Sequence, residues 1–135
     1  MLFRSIPEDK VLERLKPLFE SDAILKAGHN IKFVYALLNR RGVRLAPTDD
    51  PMLMSYVLDA GLHGHGLDEL CELNLQHKPV TLADLTGKGR ERVPFAQIGL
   101  EEATRYVAAN ADIALRLAGL LKPRLVAEKI GRAHV

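Results

Sequence analysis

Two short stretches carry the side chains best suited to chemistry. Gly28-His29-Asn30-Ile31-Lys32-Phe33-Val34 sets an amide, Asn30, three residues before an aromatic ring, Phe33. Tyr106-Val107-Ala108-Ala109-Asn110 sets a phenol one helical turn before a second amide, so Tyr106 and Asn110 face one side of a helix. Amides and aromatic rings suit hydrogen bonding to, and stacking on, unpaired bases. Phe33 fits the core equally well, because it precedes Val34 on a helix with an apolar face. Lys88, Arg90 and Arg92 make a basic loop that suits either backbone phosphate or plain solvation. Acids are poorly placed to join them: Asp112 lies two residues past Asn110, about 200° round the helix, and Asp49 and Asp50 sit where a helix cap is the simpler use. His63, His65 and His77 have no fourth zinc ligand, since Cys71 falls on an apolar face with Leu67, Leu70 and Leu75 and reads as a buried, inert thiol.

The elements that must position these groups follow from apolar spacing. Ser5 and Glu8 form a capping-box pattern with Pro7 in the first turn, and Val11, Leu12, Leu15, Leu18 and Phe19 continue a helix to about Glu20. Ile24 to Gly28 reads as a short strand running into a helix that starts near Asn30 and stops at Gly42. Val43-Arg44-Leu45 reads as a second strand. Asp50-Pro51 opens a helix to Leu58, with proline acceptable in the first turn. Gly61 to Gly66 is a loop, Leu67 to Leu75 a helix, Thr81 to Leu85 a short helix, and Gly87 to Pro94 the exposed basic loop. Leu100 to Leu121 is the longest helix, interrupted near Pro123.

Composition narrows the class without choosing a function. The 135 residues, 47% hydrophobic and 27% charged, fit one globular domain. A net charge of +2 neither supports nor excludes nucleic acid. No apolar run approaches the ~20 residues that span a bilayer, the start is too short for a signal peptide, and one cysteine fits a reducing compartment. The expectation is a cytoplasmic protein with no membrane contact.

In order and spacing these segments resemble the 3′→5′ proofreading exonuclease domain of bacterial DNA polymerase I, a DEDD nuclease with the ribonuclease H-like fold. That family's second motif is Asn-x-x-(Phe/Tyr)-Asp and its third Tyr-x-x-x-Asp; Asn30, Phe33 and Tyr106 match, while Val34 and Asn110 stand where the aspartates belong. Asp50-Pro51-Met52-Leu53-Met54-Ser55-Tyr56, His65-Gly66-Leu67-Asp68-Glu69-Leu70 and Gly87-Lys88-Gly89 are similar to its connecting segments, and the likeness runs from about Glu13 to Lys129. Leu82 departs from it, standing where relatives carry an aromatic residue.

The resemblance implies an α/β, ribonuclease H-like exonuclease fold, helix-rich and incomplete, because the Asp-x-Glu of the first strand is not found. Those first strands would cover Leu25, Val34, Leu37 and Leu38. It also implies two-metal hydrolysis by Mg²⁺ or Mn²⁺ held on carboxylates. With Val34 and Asn110 at the metal-binding positions, no cofactor is expected for this chain and hydrolysis is expected to be lost. Tyr106 takes the water-orienting position. Asn30, Phe33, His65, Lys88, Arg90 and Arg92 are the candidate DNA contacts, the partners being a single-stranded DNA 3′ end and the polymerase domain of the same parent chain. Residues 1–129 are the partial exonuclease domain, and 130–135 are expected to be a non-native tail resembling a translated sequencing adapter. Two rival readings are a working nuclease whose Val34 and Asn110 are sequence errors, and an α/β interaction domain unrelated to DNA.

Overall fold

The computed structural model describes residues 6–128. Six helices surround one small sheet. In chain order these are α1 (Glu8–Glu20), β1 (Lys26–Ala27), α2 (Ile31–Asn39), β2 (Thr48–Asp49), α3 (Pro51–Asp59), α4 (Leu67–Leu75), α5 (Leu82–Thr86) and α6 (Leu100–Ala127), with single 3₁₀ turns at Gly89–Glu91 and Phe95–Gln97 before α6. β1 and β2 run parallel, Lys26 opposite Thr48 and Ala27 opposite Asp49. The chain must therefore cross over between them, and α2 makes that crossover.

α6 is the axis of the domain, with α3 and α4 packed along it. Its apolar residues Ile113, Ala114, Leu117, Ala118 and Leu121 recur at helical spacing, and all are buried. Leu117 and Ile113 meet Leu70 and Cys71 of α4, with Leu67 and Leu75 packed beside them. Burial among these side chains pushes the Cys71 thiol pKa up, so the group is a core atom in practice. A second cluster lies under α1 and α2, where Leu38, Val43 and Leu45 contact Leu12, Phe19 and Ile31.

Two local expectations need correction. Val43 and Leu45 are buried on alternate positions like a strand, yet their segment pairs with no strand. Its amides are already used: Val43 donates to the Leu38 carbonyl, Arg44 to the Glu20 carboxylate and Ala46 to the Phe19 carbonyl. Gly42, at a φ of 73°, makes the first of these possible by turning the end of α2 left-handed. The second strand forms instead at Thr48–Asp49. Pro123 does not interrupt α6, which continues to Ala127. The ring sits on an exposed face above Gly119, where water can satisfy the freed carbonyl. Lys122 to Asp49 (2.8 Å) and a two-pronged Arg124 to Asp59 contact (3.0 and 3.1 Å) fasten the turns on either side of it. At the other end α1 starts after Pro7, without a side-chain cap. Ser5 and the tail at 130–135 lie outside the described residues.

Asp50 ties the two halves together. Its side chain is the N-cap of α3, accepting from the Met52 amide at 2.9 Å. The same carboxylate accepts from the Asn30 and Ile31 amides, at 3.0 and 2.9 Å, at the start of α2. One buried carboxylate thus serves the N-termini of two helices, each of which presents unpaired amides and a partial positive charge. Asp50→Ala should cost about 2–4 kcal/mol, from lost caps and charge-assisted bonds. Asp50→Asn, which keeps one acceptor oxygen, should cost less. Urea unfolding midpoints give both values, and an alanine variant as stable as the parent would contradict this role.

Candidate functional site

The sequence places glycine at residue 28, where β1 gives way to α2, and a Cβ there would crowd the Ile31 side chain at 3.2 Å. The backbone then turns through Asn30, which holds a left-handed φ of 57°. Asparagine tolerates that conformation better than most residues. This turn throws α2 across the end of β1 and brings Val34 to face α6. The result is an open groove of about 640 Å³ between β1, α2, the start of α4 and the middle of α6.

Val34, Tyr106 and Asn110 share this groove, with Gly28, His29, Asp68 and Glu69 among its other walls. Neither the Tyr106 hydroxyl nor the Asn110 amide has a hydrogen-bond partner among the described residues, so both are available to a ligand. Tyr106 packs toward Phe95, with ring centroids 6.2 Å apart. Asp112 points elsewhere and pairs with Arg116 at 2.9 Å.

The other sequence candidates lie outside these walls. Asn30 caps α2 through its backbone only and its side chain makes no capping bond. Phe33 is 68% exposed, so it belongs to the surface and not to the core. His65 is held in place by its Nδ1 against the Ser55 hydroxyl at 2.6 Å, and its ring lies 3.9 Å from that of Tyr56. Lys88 and Arg92 line a separate shallow depression with Leu82 and Gly87, and Arg90 sits in the 3₁₀ turn between them. His63 bonds to the Gly64 carbonyl and to Asp59, and among the described residues no group of three His, Cys, Asp or Glu side chains could hold a metal ion.

Three wall residues escaped the sequence reading. Asp68 and Glu69 occupy the first turn of α4, a favourable place for acids on helix grounds alone, which hides any second use. Glu69 accepts from the Gly64 amide at 3.0 Å. His29 donates from Nε2 to the His65 carbonyl at 2.9 Å, leaving Nδ1 buried without a partner. That bond fixes the neutral tautomer with its proton on Nε2. Its only signal in the sequence is its place beside Asn30.

The family model described as 3′–5′ exonuclease matches residues 4–126. DNA polymerase I of Rhizobium leguminosarum is 46% identical over 122 residues, covering 90% of this chain and 12% of that protein. DNA polymerase I of Pseudomonas aeruginosa is 36% identical over 132 residues, covering 93% of this chain and 14% of that protein. The Chloroflexus aurantiacus DNA polymerase I is 33% identical over 126 residues. The chain therefore spans about an eighth of the length of these relatives.

Burial holds the His29 pKa below its ordinary value of 6.5, against smaller opposing effects of the His65 carbonyl, Asp50 and Asp68. The unfolded chain takes up a proton near that ordinary value, and the folded chain resists it. Stability carried by His29 is thus complete above 6.5 and falls as pH drops from there toward the lowered folded value. His29→Gln keeps a donor for His65 but cannot titrate. Between pH 7.5 and 5.5 the unfolding midpoint of the parent should fall by more than that of the variant; equal falls would contradict a buried neutral His29.

Proposed function

Since the chain belongs to the 3′→5′ exonuclease family, in the form carried by bacterial DNA polymerase I, we propose that it is a non-hydrolytic guide for a single-stranded DNA 3′ end within a larger polymerase chain acting in replication and repair. The observation that carries this reading is the groove itself. It keeps the Tyr106 hydroxyl and the Asn110 amide free and side by side, yet offers Val34 and a neutral amide at the two positions where the family holds metal.

The residues present do not fit the family's Mg²⁺ or Mn²⁺ pair. Magnesium takes anionic oxygens in strict octahedral geometry. Valine supplies none and asparagine supplies an uncharged one. Asp68 and Glu69 do not replace the missing pair, because Glu69 is engaged by Gly64 and no metal-binding cluster forms among the described residues. Unneutralised, those two acids repel phosphate, so inside the groove contacts come from stacking and amides, and phosphate is met outside it by the basic loop. Asn30, the exposed ring of Phe33, His65 beside Tyr56, and the Lys88, Arg90 and Arg92 loop are the proposed contacts around the groove.

The proposed fold is the ribonuclease H-like one with further strands beside β1. An open groove of Leu25, Leu115, Ala118 and Val126, lined also by Ala27 of β1 and Asp49 of β2, lies between the sheet and α6, and Leu25, Leu115 and Val126 are exposed there. Val34 and Leu37 are exposed, which supports this reading, whereas Leu38 is already buried under Val43 and Leu45. An uncovered sheet edge flanked by apolar side chains favours association. The proposed partner in the parent chain is its polymerase domain.

Hydrolysis is the first test. An end-labelled oligonucleotide incubated with the protein and Mg²⁺ or Mn²⁺ should stay intact, also with the Val34→Asp, Asn110→Asp double variant. Metal-dependent laddering by the parent would overturn the reading. Laddering by the double variant alone would mean that two carboxylates suffice.

Binding is the second. Two or three phosphate contacts give a log–log salt slope no steeper than about −2. Fluorescence anisotropy over a salt series should give weak binding with that slope, and tight, salt-independent binding would mean that stacking dominates.

A further inference from the structure

A second cavity adjoins the groove across α6. It is a narrow slot of about 290 Å³, close to the lower end of ligand pockets at roughly 300 Å³. Val80 and Leu85 form one wall, and Tyr106, Ala109 and Ile113 of α6 form the other. Tyr106 and Asn110 line both the slot and the groove, so the two spaces share a wall. The slot's rim is charged. Arg105 is turned to Glu101 at 2.7 Å, and the Glu102 carboxylate has no hydrogen bond or ion pair among the described residues.

We propose that this slot takes one nucleobase of the strand whose 3′ end lies in the groove, and that the free Glu102 carboxylate favours a base with an exocyclic amine. The inference rests on the reading of the groove as a single-strand site. Apolar walls of Val80, Leu85, Ala109 and Ile113 beside the Tyr106 ring suit a base, which presents two apolar faces and a polar edge. An acceptor at the mouth matches the amine of adenine, cytosine or guanine, and leaves thymine, with carbonyl oxygens at its edge, without a donor at the exocyclic position. Continuity through Tyr106 and Asn110 means that a strand need only turn one nucleotide across α6 to fill both spaces.

Two measurements on the whole chain separate this claim from the one it rests on. Methyl NMR during titration with 2′-deoxyadenosine should shift Val80, Leu85 and Ile113. Thymidine should shift them less at equal concentration, and Ala109→Phe, which fills the slot, should abolish the effect. Val80→Phe, on the exposed wall opposite, is the second filling variant should the first fail to fold. Shifts confined to Ala27, Ala111 and Ala114 would overturn the slot and leave the groove standing. In the second measurement, an oligothymidylate with one adenine near its 3′ end should bind more tightly than the same strand with an abasic site there, by roughly fivefold or more. The filling variants should remove that difference. Equal affinities would overturn the proposal. Nucleoside shifts in the slot without any strand binding would support a nucleobase site while refuting the groove as a strand guide.

Discussion

A single buried carboxylate decides how the crossover from β1 to α3 is built. Asp50 spends both oxygens on three backbone amides drawn from two helices 20 residues apart in sequence. Each helix start carries donors that no helical carbonyl can reach, and the buried Asp50 sits where they meet. An anion between them satisfies the donors and opposes both helix dipoles at once. With those ends pinned, α2 must cross the end of β1 at one angle. That angle places Val34 opposite Tyr106 and Asn110, so the groove follows from the cap.

The groove carries no carboxylate at Val34 and Asn110, the two positions that match the family's metal-binding aspartates. Its central positions are neutral, and its acids lie at one edge in the first turn of α4. Under the proposed reading a phosphodiester in the groove would be held by Tyr106 and Asn110 and not polarised by a metal pair. A phenol, an amide and the apolar side chains of Val34, Ala111 and Ala114 are the surfaces on which the proposed strand-holding role rests. The loop at Gly61–Gly66 is anchored at both sides, by His29 to the His65 carbonyl and by His63 to Asp59, whose carboxyl is kept below its usual range chiefly by Arg124. The wall of the groove is therefore tied to the end of α6.

Local signals in the sequence were read well where the partner was also local. α4 spans Leu67 to Leu75 as its leucine spacing requires, and Thr81 with Asp84 closes a capping box one residue before α5. The helix at Pro51 and the left-handed turn at Gly42 follow from residue type in the same way. Failures occurred where distant groups decided the outcome. Val43 and Leu45 alternate like a strand, but Leu38, Glu20 and Phe19 claim the amides nearby. Pro123 reads as a stop, yet salt bridges to Asp49 and Asp59 hold the helix through it. The three candidate positions of the groove could be named from motif spacing, whereas His29 and the acids of α4 entered only through the fold. Whether Phe33 is core or surface was undecidable from periodicity, since the helix it lies on buries only Leu38 fully.

The central proposal is that this groove does not hold the family's metal pair, and direct ion binding tests it without any substrate. Isothermal titration of the protein with Mn²⁺, beside a Val34→Asp, Asn110→Asp variant as a reference for restored carboxylates, reads occupancy itself. The account predicts no saturable binding by the parent tighter than on the order of 1 mM, about −4 kcal/mol. Two Mn²⁺ ions bound in the micromolar range, and displaced by Asn110→Ala, would contradict it.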